Sequence, residues 1–281
     1  MFVPINGIDQ WITIRSSDAH NPVLLVLHGG PGIPSSPGAL VFAPWEKNYT
    51  VVQWDQPSTG ATYAKNIGKD NGPLTIERYR RDGIAVTEYV LGHLHQHKAI
   101  LYGTSWGTIL GIEMAVARPD LFNGYVGVSQ VGGPKGDILG YQLALKAARE
   151  RSDAKAVKDL EGVGPPPYTR FEDFIVRQTY TNAPGLPPTP QEQEAIAALT
   201  KQATTPPDPN ANYIAHGLPS YDGTKLFLDT IRAMFQQEMA WDPYKLSLKF
   251  KMPVVILNGD HDFNTPAQTA MELCNAISAP V

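Results

Sequence analysis

Up to about residue 130, apolar positions fall into short unbroken runs separated by mixed stretches. Val23–Leu27 is wholly apolar and ends at His28-Gly29-Gly30. Tyr49–Trp54 closes at Asp55, Ala99–Tyr102 closes at Gly103, and Tyr125–Val128 follows. The β-branched stretch Trp11–Ile14 precedes them all. Runs without polar alternation suit strands covered on both faces, as in a parallel sheet. Between the runs the period changes. Ile76, Tyr79, Gly83, Val86 and Val90 lie on one face of a predicted helix over Thr75–Leu91, with Thr75 placed to cap it. Thr108–Arg118 forms another, ended by Pro119. Strands alternating with helices predict an α/β fold with right-handed crossovers.

From Gly132 to Trp241 the pattern is helical throughout. Ile138–Leu160 reads as one long helix, followed by Phe171–Tyr180, Gln191–Gln202 and Thr224–Met239. Proline-rich breaks separate them at Gly164–Pro167, Pro184–Pro188 and Pro206–Pro209. Each break is short and each helix has an apolar face, so the stretch is a helical insertion and not a linker. A strand pattern resumes at Pro253–Asp260, and Thr265–Ile277 reads as a last helix. The expected organisation is an α/β core over 1–131 and 242–281, with a helical cap over 132–241.

Composition narrows the function classes. The 281 residues are 42% hydrophobic and 18% charged, which excludes a disordered chain. With 23 basic and 27 acidic residues the net charge is −4, which argues against a nucleic-acid partner and offers no basic face to a membrane. A single cysteine, Cys274, excludes an internal disulfide framework and a multi-cysteine metal cluster. His93, His95 and His97 alternate, but nothing nearby supplies a fourth metal ligand, and they read as a solvated helix end. Met1–Gly7 lacks the basic segment and apolar run of a secretory signal. Val23–Leu27, the longest clean apolar run, is far shorter than the ~20 residues that span a bilayer. A cytoplasmic location is expected.

Two glycine-rich turns carry the chemistry. Gly103-Thr104-Ser105-Trp106-Gly107 follows a predicted strand and opens a predicted helix, the context of a nucleophile elbow. Such a turn holds Ser105 in strained backbone with its hydroxyl projecting, and leaves room only for small residues at 103 and 107. The helix start adds positive partial charge and a free amide at Trp106. His28-Gly29-Gly30-Pro31-Gly32 follows the strand ending at Leu27. Glycines 29 and 30 let backbone N–H groups approach a reacting carbonyl, so Gly30 and Trp106 are the candidate oxyanion donors, with Gly29 supporting.

His28-Gly29-Gly30-Pro31-Gly32, Trp54-Asp55-Gln56 and Gly103-Thr104-Ser105-Trp106-Gly107, in that order, resemble the proline iminopeptidase family of α/β hydrolases. The resemblance implies a helical cap inserted after the sixth strand and a Ser-Asp-His triad in that chain order. It implies no cofactor, and a small-molecule or short-peptide substrate with a free N-terminal residue, often proline, bound under the cap; no metal is expected. The chain departs from the family after Gln56, where Pro57-Ser58-Thr59-Gly60-Ala61-Thr62 stands in place of an Arg-Gly-containing turn. In members that prefer N-terminal proline, cap glutamates bind the substrate ammonium. Here the cap offers Glu150, Glu161, Glu172, Glu192, Glu194 and Glu238, and none is placed by motif. Glu238 and Phe235 are the substrate-binding candidates, and Tyr141, Phe171, Phe174 and Phe227 are further apolar cap residues.

The turn Asn258–Pro266 holds the acid. The resemblance places it at Asp262, with Asp260 as the competing choice. A histidine is then expected about thirty residues later, after one more helix and strand. The sequence reaches Ser278-Ala279-Pro280-Val281 without it. Of the histidines present, only His216, in the cap, is a candidate to reach Ser105. The expectation is therefore a serine hydrolase of iminopeptidase type lacking its last strand and base, and impaired for that reason. An esterase or amidase of the same fold, and a non-catalytic ligand-binding protein, stand as alternatives.

Overall fold

The computed structural model describes residues 1–182, 189–204 and 217–280. The breaks at Pro184–Pro188 and Pro206–Pro209, and His216, lie outside the described residues. The strands are β1 (Phe2–Ile5), β2 (Ile8–Arg15), β3 (Val23–Leu27), β4 (Thr50–Asp55), β5 (Ala99–Thr104), β6 (Phe122–Val128) and β7 (Val254–Leu257). They form one sheet in the order β1-β2-β4-β3-β5-β6-β7. β1, β2 and β4 pair antiparallel, while β4, β3, β5, β6 and β7 run parallel. β3 is buried along its whole length. In-register pairs Leu27–Gly103, Thr104–Val128 and Val128–Leu257 align the strand ends from which the site-bearing loops leave. Ligands of open α/β sheets bind beyond these carboxyl ends.

The helices are α1 (Gly60–Lys65), α2 (Ile76–His93), α3 (Trp106–Ala117), α4 (Pro134–Glu150), α5 (Ala154–Val163), α6 (Phe171–Thr181), α7 (Pro190–Thr204), α8 (Gly223–Ala240) and α9 (Ala267–Ala276). Thr75 caps α2 as expected, its side chain accepting from the Arg78 amide. α4 to α8 stand between β6 and β7. Tyr168, Phe171, Phe174, Ile231, Phe235 and Met239 give these helices an apolar core of their own. Among the described residues no helix is long and apolar enough to cross a membrane.

The structure differs from the sequence pattern in three places. The single helix expected over Ile138–Leu160 is two. Ser152 adopts φ +56, and Asp153 caps α5 by accepting from the Ala156 amide at 2.9 Å. Ser-Asp inside an otherwise helical run is a stop-and-restart signal. β1 escaped notice because it is only four residues long. Its hairpin turn is written in the sequence as Asn6-Gly7, at φ +47 and +95. After α9 the chain turns back beside residues 248–250, with Phe250 N donating to Ser278 O and Ser278 N to Leu248 O. β7 is one of the two outer strands among the described residues, opposite β1, with Val255 and Leu257 about half exposed.

A buried polar knot fixes α2 to the N-terminal hairpin behind the site. Asp82 accepts from Asn6 Nδ2 at 2.7 Å, Gln10 Nε2 at 2.9 Å and Arg78 Nε at 2.7 Å. Gln10 Oε1 accepts from Trp54 Nε1 at 2.7 Å, two residues before Gln56. Removing one partner of a buried ion pair leaves the other charge uncompensated. Asp82→Ala is therefore expected to cost about 3–5 kcal/mol in urea unfolding, and a loss under 1 kcal/mol would refute the knot's role.

Candidate active site

Ser105 stands between β5 and α3 at φ +52 and ψ −119, a region that L-residues avoid. The turn is so tight that a β-carbon on Gly107 would overlap the Leu27 carbonyl at the end of β3. Ser105 N donates to Val128 O at 2.9 Å, which fixes the turn to β6 as well. Trp106 opens the helix, so its amide has no intrahelical acceptor.

The loop after β3 lies against this turn. A β-carbon on Gly29 would stand 3.4 Å from the Ser105 Cβ. Gly30 has φ +118, and a β-carbon there would come within 2.6 Å of the Gly32 nitrogen. The position therefore admits only glycine. Gln56, fully buried, ties the two turns together. Its Oε1 accepts from Trp106 Nε1 at 2.9 Å and its Nε2 donates to the His28 carbonyl at 3.4 Å. His28 is locked beside it: Nε2 accepts from the Gln56 amide at 3.3 Å, and Nδ1 meets the Gly29 carbonyl at 2.8 Å. Burial pushes the His28 imidazole down to about 4, against the pull of the Gly29 carbonyl, so the ring is neutral. Both its nitrogens are engaged and it does not line the cavity at Ser105.

The loop after Gln56 holds its shape without the family's arginine. Tyr79 OH donates to the Pro57 carbonyl at 3.0 Å. The Asp55 carboxylate accepts from the Ala61 amide at 2.8 Å, and Thr62 Oγ1 donates to the Asp55 carbonyl. Backbone groups and a threonine thus do work for which the sequence alone named no substitute.

Gly30, Ser105 and Trp106 line one small cavity of about 60 Å³ under the helical insertion. Its opposite wall includes Asn264 and Thr265. These are the residues that hold Asp262. Its Oδ1 accepts from the Asn264 amide at 3.0 Å and the Thr265 amide at 2.8 Å, and its Oδ2 from Thr265 Oγ1 at 2.5 Å. Asn258 anchors the turn by donating to the Thr265 carbonyl at 2.7 Å and accepting from the Gln130 amide at 3.0 Å. Asp262 stands behind this wall, and Asp260 is exposed.

Of the cap glutamates, Glu238 alone among the described side chains reaches the cavity. Glu161 and Glu172 pair with Arg149 and Arg232 at the surface, Glu150 and Glu194 are exposed, and the Glu192 side chain lies outside the described residues. Phe235 does not line the cavity. It packs at 5.4 Å from Phe171 and 6.0 Å from Phe174 in the cap's apolar core. Phe174 is the cap aromatic that faces Ser105.

Two residues that sequence reasoning passed over complete the wall. Asp137, in the first turn of α4, pairs with Arg177 Nη2 at 3.1 Å, and Arg177 Nη1 donates to Asn264 Oδ1 at 3.4 Å. Burial raises the Asp137 carboxyl to about 6, though Arg177 draws it down. Burial, and then the charge of Asp137, raises Glu238 to about 8. The Glu238 Oε1 atom is buried with no hydrogen-bond partner among the described residues. The sequence carried no signal for Asp137 or Arg177, because only the packed structure shows that the Arg177 guanidinium is fully buried and so needs an acidic partner. No histidine among the described residues lines the cavity.

This combination defines a class: an α/β sheet with a serine on a strained strand-to-helix turn, a glycine loop beside it and a carboxylate on a turn after β7. The chain belongs to the alpha/beta hydrolase family, whose pattern matches residues 23–273. It is 29% identical over 286 residues to a probable aminopeptidase of Bacillus subtilis, covering 98% of this chain and 85% of that protein. Among solved structures, a proline iminopeptidase-related protein from Thermus thermophilus superposes with a TM-score of 0.62 at 17% identity, covering 100% of this chain and 86% of the other. The proline iminopeptidase of Mycobacterium smegmatis gives 0.59 at 18%, covering 100% and 88%. At those identities the structures establish the fold.

The carboxyl of Glu238 predicts a pH signature. Folding lifts it from an ordinary value of about 4.5 to about 8, so the folded protein keeps a proton that the unfolded chain loses between them. Stability from this group is present in full below about 4.5 and lost as pH rises through about 8. Glu238→Gln should therefore match the parent in Tm at pH 4 and exceed it at pH 9. An equal Tm difference at both values would show that the group does not titrate this way.

Proposed function

We propose that this chain is a serine hydrolase of aminopeptidase type, acting on small substrates or short peptides with a free N-terminal amine. The observation that carries the reading is that Ser105 and the unpartnered carboxylate of Glu238 face the same small cavity. The Ser105 oxygen bonds to the carbonyl carbon of the first residue as a base takes its proton, and the bond to the amine leaving group then breaks, that amine departing with the proton. The amides of Gly30 and Trp106 receive the oxygen as it gains negative charge. Glu238, with Asp137 nearby, takes the substrate ammonium and gives up its proton to solvent as the ion pair forms. Water then adds to the acyl carbon and the serine ester bond breaks, which frees the first residue as its acid and returns a proton to Ser105. Asp262 is the carboxylate that would orient an imidazole base. The names of the relatives point the same way.

A second reading is favoured by one fact: no described histidine lines the cavity. A chain of this kind binds its amine ligand and turns it over slowly or not at all. Loss of the base in a serine triad costs orders of magnitude in rate while the oxyanion donors retain roughly 10³-fold acceleration over water.

A fluorophosphonate probe tests the nucleophile. Slow labelling is expected at Ser105, found by peptide mapping, and none in Ser105→Ala. Labelling elsewhere would overturn the assignment, and complete absence of labelling would favour the ligand-binding reading. Calorimetry tests the amine site. At pH 7 the Glu238 carboxyl holds its proton, and an arriving ammonium favours the carboxylate. Binding of L-alaninamide should then release a proton to the buffer, visible as a dependence of heat on buffer ionisation enthalpy. Glu238→Gln should weaken binding about tenfold or more, since a charged partner is lost.

A further inference from the structure

The cavity at Ser105 is too small for a whole substrate. Its volume of about 60 Å³ compares with roughly 300–1,000 Å³ for ordinary ligand pockets. A second chamber of about 360 Å³ lies next to it and shares Asp137 and Met239 as a common wall. It is formed where α4 begins and α8 ends, and its lining is mostly apolar: Pro134, Ile138, Pro167, Tyr168, Met239 and Ala240. Ile138 is 38% exposed there, whereas Tyr141, Ala144 and Ala148 of the same helix are buried. Tyr168 turns its hydroxyl away, donating to the Gly164 carbonyl at 2.8 Å, and leaves ring surface to the chamber.

The geometry points to this chamber as the subsite for the side chain of the substrate's first residue, and to large apolar residues such as leucine or phenylalanine as the preferred class. The inference rests on the amine-recognition reading above. In an aminoacyl substrate the ammonium and the side chain leave the same α-carbon. An ammonium held by Glu238 and Asp137 places that carbon against the wall both spaces share. The carbonyl is directed to Ser105, so the leaving group departs on the other side. The side chain is the part left to pass the wall. Met239 stands in its path, and an unbranched thioether can move aside at low cost. A small side chain fits the Ser105 cavity and leaves the chamber to water. A large apolar one removes its own surface and the chamber's from solvent.

The experiment measures binding and so does not depend on turnover. L-Leucinamide and L-phenylalaninamide are titrated into the protein by calorimetry beside L-alaninamide and L-prolinamide. The first pair should bind at least about tenfold more tightly than alaninamide, as expected for burying several extra carbons, and more tightly than prolinamide, whose ring is tied back to its own nitrogen. Ile138→Trp fills the chamber from an exposed position. It should abolish that advantage and leave alaninamide unchanged, and Ala240→Leu should do the same from α8. Equal affinities across the four amides, or leucinamide binding untouched by both variants, would overturn the inference and leave amine recognition standing. N-acetyl-leucinamide binding as tightly as leucinamide would instead sink amine recognition. Failure of every amide to bind at millimolar concentration would overturn both.

Discussion

The first turn of α3 begins directly over the Leu27 carbonyl, at a distance no side chain at position 107 would tolerate. That approach puts the end of β3, the start of α3 and the turn between them into one small volume. Ser105 must adopt positive φ to make the connection, and the strain is borne by its surroundings. Val128 accepts the serine amide from one side, and Gln56 bridges Trp106 to His28 on the other. Parallel strands in register supply the rigidity, because their ends align without further adjustment. Every other element of the site is placed relative to this contact.

The sequence made this part legible because glycine leaves a trace. Gly29, Gly30, Gly103 and Gly107 stand where backbone meets backbone, and tight turns of that kind admit few alternatives. The unbroken apolar runs reported strands covered on both faces for a similarly direct reason. Asp137 and Arg177 were not legible. Each sits on an amphipathic helix, where a charged residue reads as solvent-facing, and only the packing of α4 against α6 shows that they meet. Phe235 misled in the opposite sense. An aromatic at helical spacing fits a pocket or a core equally well, and Phe171 and Phe174 claimed it for the core. The Ser152-Asp153 break was readable in principle, but helical periodicity on both sides hid it.

Electrostatics divides the cavity into two unequal halves. On the core side, backbone amides and a helix start offer positive partial charge toward Ser105. On the cap side, Asp137 and Glu238 offer carboxyl groups that burial keeps reluctant to ionise, with Arg177 neutralising only the first of them. A molecule with a polarised carbonyl at one end and a cation a few bonds away matches both halves at once. A plain ester satisfies one of them. In the function we propose, recognition and chemistry fall to different layers of the fold, so the preference of one could change without disturbing the turn at Ser105.

Asn264 joins those layers in a single residue. Its side-chain oxygen accepts from Arg177 and Thr181 of α6, and its own amide helps hold the Asp262 carboxylate. α6 is therefore joined by hydrogen bonds to the loop that carries Asp262. Displacing α6 would break the two hydrogen bonds that the Asn264 oxygen accepts, so the Asp262 turn and the helix above it are tied through one side chain.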